Sequence, residues 1–236
     1  MKLVFASNNS HKLEEVRQIM PAGVEVLSLS EIGFCAEIEE TGTTLAENSR
    51  IKAETVWEWI CRQPSADSYP IDGVFADDTG LEINALGGKP GVYTARWWSL
   101  ADSSEEECRK TALNSSDQTA LPKNLKCSET PKSEQEVFGA NCAKALRELE
   151  GKSDRSAQFK TVITLIRGGE ELQVEGIVRG QIATEKYGNG GFGYDPVFIP
   201  EGYDKTFAEL PAEVKNQISH RARALAELKR KLKTES

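Results

Sequence analysis

Phe159-Lys160-Thr161-Val162-Ile163-Thr164-Leu165-Ile166-Arg167-Gly168-Gly169-Glu170-Glu171-Leu172-Gln173-Val174-Glu175-Gly176-Ile177-Val178 is the stretch on which the fold turns. Phe159, Thr161, Ile163 and Leu165 alternate with Val162, Thr164 and Ile166, so the first half reads as a strand buried on both faces. Leu172, Val174, Gly176 and Val178 continue a period of two. Gly168-Gly169 supplies a natural hairpin between the halves.

Upstream, residues 2–6 read as a short apolar strand, followed by the cap-rich run Ser7-Asn8-Asn9-Ser10. A helix is predicted over about 11–20, carrying Leu13, Val16, Ile19 and Met20. Residues 24–29 read as a second strand. Thr44-Leu45-Ala46-Glu47 has the spacing of a capping box, starting a helix that runs to about 61 with Leu45, Val56, Trp59 and Ile60 available for the core. Val74-Phe75-Ala76 reads as a short buried strand delivering Asp77 and Asp78 at its end. Residues 86–92 read as a loop, 103–113 as a helix, 115–136 as a flexible polar insertion and 137–149 as a helix. A glycine-rich loop spans 187–196, and Ile218, Ala222, Leu225, Leu228 and Leu232 form one apolar stripe on a C-terminal helix. The expectation is an α/β fold with a mixed central sheet, in one domain over residues 1–236.

The chain has 236 residues and a formal net charge of -8. That balance argues against broad binding to nucleic acid or anionic membranes, but not against an anionic small molecule held by local cations. No apolar run approaches the length of a membrane span. Met1-Lys2-Leu3-Val4-Phe5 reads as a first strand rather than a signal peptide. Five cysteines (Cys35, Cys61, Cys108, Cys127, Cys142) are scattered without a CxxC pair, and His11 and His220 are the two histidines, so a zinc site is not expected. Reduced thiols and a cytoplasmic location are the expectation.

Several short runs could carry chemistry. Ser7-Asn8-Asn9-Ser10-His11-Lys12 combines the amides of a helix start with a cation, a setting for an anion, although an ordinary cap run looks the same. Asp77-Asp78-Thr79-Gly80 could orient water or hold magnesium for phosphoanhydride hydrolysis, and reads equally as a turn. Alternation along a strand sends its two carboxylates to opposite faces, usually one inward and one outward. Glu39-Glu40-Thr41-Gly42 offers hard oxygen ligands or a solvated loop. Asn48 and Lys52 share a helix face whose default is solvation. Gly190-Gly191-Phe192-Gly193-Tyr194-Asp195-Pro196 could stack and hydrogen-bond a flat base, or pack as a strained hairpin. Lys215 with Ser219-His220-Arg221 brings cations to the start of the final helix.

In this order the runs resemble the inosine triphosphate pyrophosphatase family, the Ham1-like pyrophosphatases of non-standard purine nucleotides. The matching residues also include Glu40-Thr41-Gly42-Thr43-Thr44, Glu47-Asn48, Lys52-Ala53, Leu86-Gly87-Gly88, Pro90-Gly91-Val92-Tyr93 and Ala95-Arg96, so the resemblance covers nearly the whole chain. It implies two lobes around a central sheet, a nucleotide in the cleft between them, and a homodimer. It implies Asp78 as general base and magnesium (Mg2+) ligand, with Glu40 the second carboxylate. Ser7, Asn8, Asn9, Ser10, His11, Lys12, Lys52 and Lys215 would hold the triphosphate, and Thr79 would touch substrate beside Asp78. Phe192 would stack on the purine with Gly193 in the same loop, while Tyr194, Asp195, His220 and Arg221 frame or read its edge. The implied reaction releases a nucleoside monophosphate and pyrophosphate from ITP, dITP or XTP. Trp97, Trp98 and the polar stretch to Glu136 depart from shorter relatives. A related phosphatase of modified pyrimidine nucleotides is the competing enzyme reading. A sensor without turnover is disfavoured by the presence of both Glu40 and Asp78.

Overall fold

The computed structural model describes residues 1–63, 70–101, 131 and 133–234. The expected helix over 103–113 and most of the polar insertion over 115–136 lie outside the described residues. The hairpin is the centre of the fold: β5 (Ser156–Arg167) and β6 (Glu170–Ile182) pair antiparallel along their whole length. Gly168 and Gly169 both have positive φ, 58° and 84°, as a two-residue hairpin turn matching strand twist requires. The sheet runs β2-β1-β3-β5-β6-β7, with β1 (Lys2–Phe5), β2 (Glu25–Leu27), β3 (Gly73–Ile83) and β7 (Phe198–Pro200). It is mixed, since β1 pairs parallel with β2 and β3 while β3, β5, β6 and β7 are antiparallel.

Two faces are covered. One carries helix α2 (Leu45–Cys61), which packs Ala53, Val56 and Ile60 onto Val4, Ala6, Val74, Ala76 and Ile166. The capping box forms as read: the Thr44 hydroxyl accepts from the Glu47 amide at 3.1 Å, and the Glu47 carboxylate accepts from the Thr44 amide at 3.0 Å. The other face carries α1 (Ser10–Ile19) and a C-terminal helix over Leu3, Phe5, Phe75, Ile163 and Leu165. Phe5 and Phe75 stack there at 4.9 Å, each burial stabilising by about 2 kcal/mol. A second lobe forms where β3, β5 and β6 run on past these helices. It buries Leu81, Ile83, Phe159, Val178 and Phe198 against Cys142 and Ala145 of α3 (Glu134–Glu148) and Leu149, which caps its end.

Four expectations are corrected. The strand expected to end at Ala76 is eleven residues long, so Asp77 and Asp78 lie in its middle; it parts from β1 after Phe75 but stays paired with β5 to Ile83. The loop over 86–92 contains a short strand, β4 (Lys89–Gly91), paired with the far end of β3. Helix α3 starts at Glu134 because the Ser133 hydroxyl caps the Glu136 amide, so residues 134–136 belong to the helix. The C-terminal stripe is broken at Ser219, whose extended backbone (φ -65°, ψ 160°) separates α4 (Ala212–Ile218) from α5 (His220–Thr234). Ile218 therefore packs into the second lobe, while Leu225, Leu228 and Leu232 pack onto the first. Among the described residues no helix is long and apolar enough to cross a membrane.

Helix α5 lies directly on β6. A Cβ at Gly176 would come within 2.2 Å of the His220 carbonyl oxygen and 2.3 Å of the Ala224 amide. Both are backbone atoms that cannot swing aside, so Gly176→Ala must push α5 off the sheet. Urea denaturation is expected to show a loss of about 3 kcal/mol. Unchanged stability would contradict this contact.

Candidate active site

The site opens where β1 and β3 part. After Phe5 the chain turns away through Ser7, Asn8 and Asn9 into α1, leaving a crevice beside Ala76, Asp77, Asp78 and Thr79. Crevices at the carboxyl ends of diverging parallel strands are where α/β sheets bind ligands. Here the crevice continues into a cleft of about 380 Å³ reaching the glycine-rich loop.

Alternation sends the two carboxylates to opposite faces, but both are buried, because helices cover both sides. Asp77 faces α1 and α5. Its Oδ1 accepts from Lys12 Nζ at 2.9 Å, and its Oδ2 accepts from Arg221 Nε and Nη2 at 3.0 Å each. Burial opposes its ionisation, yet the Lys12 and Arg221 cations outweigh burial and hold the carboxyl well below the usual carboxylate range. Asp78 faces α2, where Asn48 and Lys52 are also buried, not solvated. Lys52 Nζ stands between two carboxylates, donating to Glu40 Oε1 at 2.8 Å and Asp78 Oδ1 at 3.1 Å. Burial pushes the Asp78 carboxyl upward, and the nearby Glu40 charge adds to this against the pull of Lys52 and Lys12. Ser49 anchors this wall, donating to the Ala76 carbonyl and accepting from the Thr164 amide, both at 2.9 Å.

A buried ion chain extends from Asp77. Glu15 on α1 accepts from Arg221 and, at 2.7 Å, contacts Lys215 on α4. Lys215 also donates to Asp195 Oδ2 at 2.6 Å, and that oxygen accepts from the Phe192 amide at 2.7 Å. Asp195 thus folds the loop, and Gly191 permits it: φ is 70°, and a Cβ there would lie 2.0 Å from Asp195 Oδ2. The Phe192 ring is stacked on His11 at 5.3 Å and 11°, with Lys215 Nζ 4.7 Å from its centroid and Phe138 of α3 tilted at 6.0 Å. Tyr194 is buried beneath, its hydroxyl donating to the Thr94 carbonyl at 3.0 Å. His220 Nδ1 lies 2.6 Å from the Thr161 hydroxyl, which is 2.7 Å from that of Thr79. Burial, reinforced by the Arg221 and Lys215 charges, depresses the imidazole well below its usual value, so it is neutral at pH 7.

The cleft walls bring together Ser7, Asn8, Asn9, Lys12, Glu40, Lys52, Asp78, Thr79, Phe192, Gly193, Tyr194, Asp195, Lys215, His220 and Arg221. Ser10 and His11 are not on those walls. Ser10 is an exposed first residue of α1, and His11 meets the site through the rings of Phe192 and Phe138. The cap run does what caps do, with the Asn9 side chain accepting from the Lys12 amide at 2.9 Å. Glu15, Phe138 and Thr161 also belong to the site, as do Asn48 and Arg96, to which the sequence attaches no role. Glu15 carried one signal: it lies three residues after Lys12, on the same side of α1.

Glu40 and Asp78 share a single ammonium in a hard-oxygen setting. Among the described residues no cluster of three or more His, Cys, Asp or Glu gathers into a ready cage. Two carboxylates without a cage suit a divalent ion that takes its remaining ligands from water and phosphate.

The frame and the open wall respond differently to substitution. Asp77→Asn leaves Arg221 and Lys12 short of a buried counter-charge, and is expected to cost about 3 kcal/mol in urea denaturation at pH 7. Asp77 is depressed when folded, so its contribution is present above the unfolded aspartate value of about 3.9 and is lost as pH falls towards the folded value. Wild-type stability should therefore drop below about pH 4, and the variant should show a shallower drop. Equal stability of both proteins at pH 7 would contradict the assignment of Asp77 to the frame.

The Ham1 family profile matches residues 3–127 and 126–231, the two matches meeting inside the polar stretch over 115–136. A dITP/XTP pyrophosphatase of Flavobacterium johnsoniae is 40% identical over 228 residues, covering 97% of this chain and 96% of that one. One from Bacillus subtilis is 40% identical over 233 residues, covering 97% and 96%. The Staphylococcus aureus Ham1 protein has a TM-score of 0.70 at 34% identity, with 100% of both chains covered. A HAM1 protein from Coxiella burnetii has a TM-score of 0.71 at 32% identity over the same share. Similarity of this extent, over the whole sheet and every wall of the cleft, places the chain in the Ham1 family.

Proposed function

We propose that the protein hydrolyses the non-standard purine nucleoside triphosphates ITP, dITP and XTP to the nucleoside monophosphate and pyrophosphate, removing them from the nucleotide pool. The observation that carries this is the placing of Asp78 and Glu40 on one wall of a cleft whose other end is the Phe192 loop. Names of the relatives, dITP/XTP pyrophosphatases, point the same way.

The charge balance supports a metal. Lys12, Lys52, Lys215 and Arg221 are each already paired with carboxylates, so the cleft has little surplus positive charge for a triphosphate. Glu40 and Asp78 would hold Mg2+, which when bound supplies phosphate neutralisation and lowers the pKa of coordinated water. Asp78 would orient the attacking water and accept its proton, since it lines the cleft while Asp77 is taken up by Lys12 and Arg221. Ser7, Asn8, Asn9, Lys12, Lys52 and Lys215 line the path of the phosphates, and Thr79 flanks Asp78. Phe192 and Gly193 offer the stacking loop, from which the base would displace His11. Lys215 and Arg221 are donors only, so a 6-oxo edge gives them an acceptor, whereas a 6-amino edge sets donor against donor. Tyr194 and Asp195 shape the loop, and neutral His220 completes the edge.

We also read residues 1–236 as one domain with the stretch 115–136 inserted, working on free nucleotides as a cytoplasmic homodimer. Exposed Tyr93 and Leu100 lie beside a hollow lined by Leu45, Val162 and Val174, where a second copy could pack.

Pyrophosphate release should be measured for ITP, XTP, dITP, GTP, ATP and dUTP, with and without magnesium. The expected kcat/KM for ITP and XTP exceeds that for ATP by about a hundredfold or more, and requires the metal. No release from ITP or XTP would overturn the proposal. Equal turnover of ATP would overturn its base preference.

A further inference from the structure

Five cations line the cleft, and four have carboxylate partners. The fifth, Arg96, has none among the described residues. Its side chain is exposed, and its guanidinium lies 5.4 Å from the centroid of the Tyr93 ring.

The backbone beneath Arg96 is held far more firmly than an ordinary surface turn. Arg96 belongs to the 3-10 turn Thr94–Ser99, and α3 grips that turn with two buried side chains. Asn141 donates through Nδ2 to the Ala95 carbonyl at 3.1 Å and accepts through Oδ1 from the Trp98 amide at 2.8 Å. Lys144 is 1% exposed and gives its ammonium to the carbonyls of Trp97 at 3.1 Å, Leu100, and Ala101 at 3.2 Å. On the other side, the Leu81 amide donates to the Thr94 hydroxyl at 2.8 Å. A buried ammonium that donates to three backbone carbonyls among the described residues fixes the end of the turn. The residue it leaves facing the cleft is the arginine.

We infer that Arg96 is a further phosphate-binding residue for the triphosphate chain, and that Asn141 and Lys144 are the positioning residues that present it. The inference rests on the reading of the cleft as a triphosphate site. Lys12, Lys52, Lys215 and Arg221 share their charge with buried carboxylates, so they bring little surplus charge to the ligand they touch. Arg96 brings an undivided charge, and its planar fork fits two phosphate oxygens at once.

The test measures calorimetric binding of inorganic tripolyphosphate, and KM and kcat for ITP with magnesium. Proteins compared are wild type, Arg96→Gln, Arg96→Lys, Lys144→Met and the Arg96→Gln/Lys144→Met double variant. Arg96→Gln is expected to weaken tripolyphosphate binding and raise KM about tenfold, with kcat falling much less. Arg96→Lys should recover part of the loss. Lys144→Met should raise KM when Arg96 is present and add little when it is absent, which a merely structural role would not do. Should Lys144→Met not fold, Asn141→Ala takes its place in the cycle. Wild-type binding and KM in Arg96→Gln, beside an active wild type, would overturn this inference alone. Additive effects in the cycle would overturn the positioning role. A wild type that neither binds tripolyphosphate nor turns over ITP would overturn the reading of the site and this inference with it.

Discussion

Arg221 and Asp77, each 1% exposed and 3.0 Å apart, form the contact on which the rest of the molecule depends. Neither charge could be buried alone without a penalty of several kcal/mol. Each therefore needs every partner the surrounding elements can supply: Lys12 and Glu15 from α1, with Lys215 and Asp195 completing the chain. The chain pins α1, α4, α5 and the glycine-rich loop to the middle of β3. It forms only because Gly176 lets α5 approach β6 at backbone contact. A packing constraint on one strand and a charge constraint on another thus fix the same helix.

The same arrangement explains why adjacent aspartates end with different tasks. Asp77 is enclosed by cations that hold it ionised and still. Asp78, one residue on and on the opposite face, meets α2 and the cleft, with one shared ammonium and an amide nitrogen 3.4 Å away. Strand alternation separates them. Coverage of both faces then buries both, leaving the second at an opening because β1 has already turned away.

Much of the fold was legible because its signals are local. A period of two with Gly168-Gly169 gives a hairpin, and Thr44 with Glu47 gives a capped helix start. The site was legible as a set of ordered runs, Lys12, Asp78, Phe192 and Arg221 among them, through the family they resemble. What escaped depends on partners distant in the chain. The length of β3 follows from its pairing with β5, which continues to Ile83 after β1 has ended at Phe75, and nothing between 73 and 83 announces it. The break at Ser219 lies inside an unbroken apolar stripe, because Ile218 and Leu225 serve different lobes. Glu15 reads as a surface helix residue until Lys215 and Arg221 arrive some two hundred residues later. Asn48 and Lys52 read as a solvated pair until Asp78 comes up beside them. Lys144 and Asn141 carry no signal at all in a helix that looks amphipathic.

The central claim is that chemistry belongs to Asp78 while Asp77 holds the frame. Pyrophosphate release from ITP by Asp78→Asn, with circular dichroism confirming the fold, tests it most directly. A folded variant slowed about a thousandfold or more is the expected result. A folded Asp78→Asn protein with near-wild-type turnover would contradict the account, and would pass the base's role to Asp77 or another group.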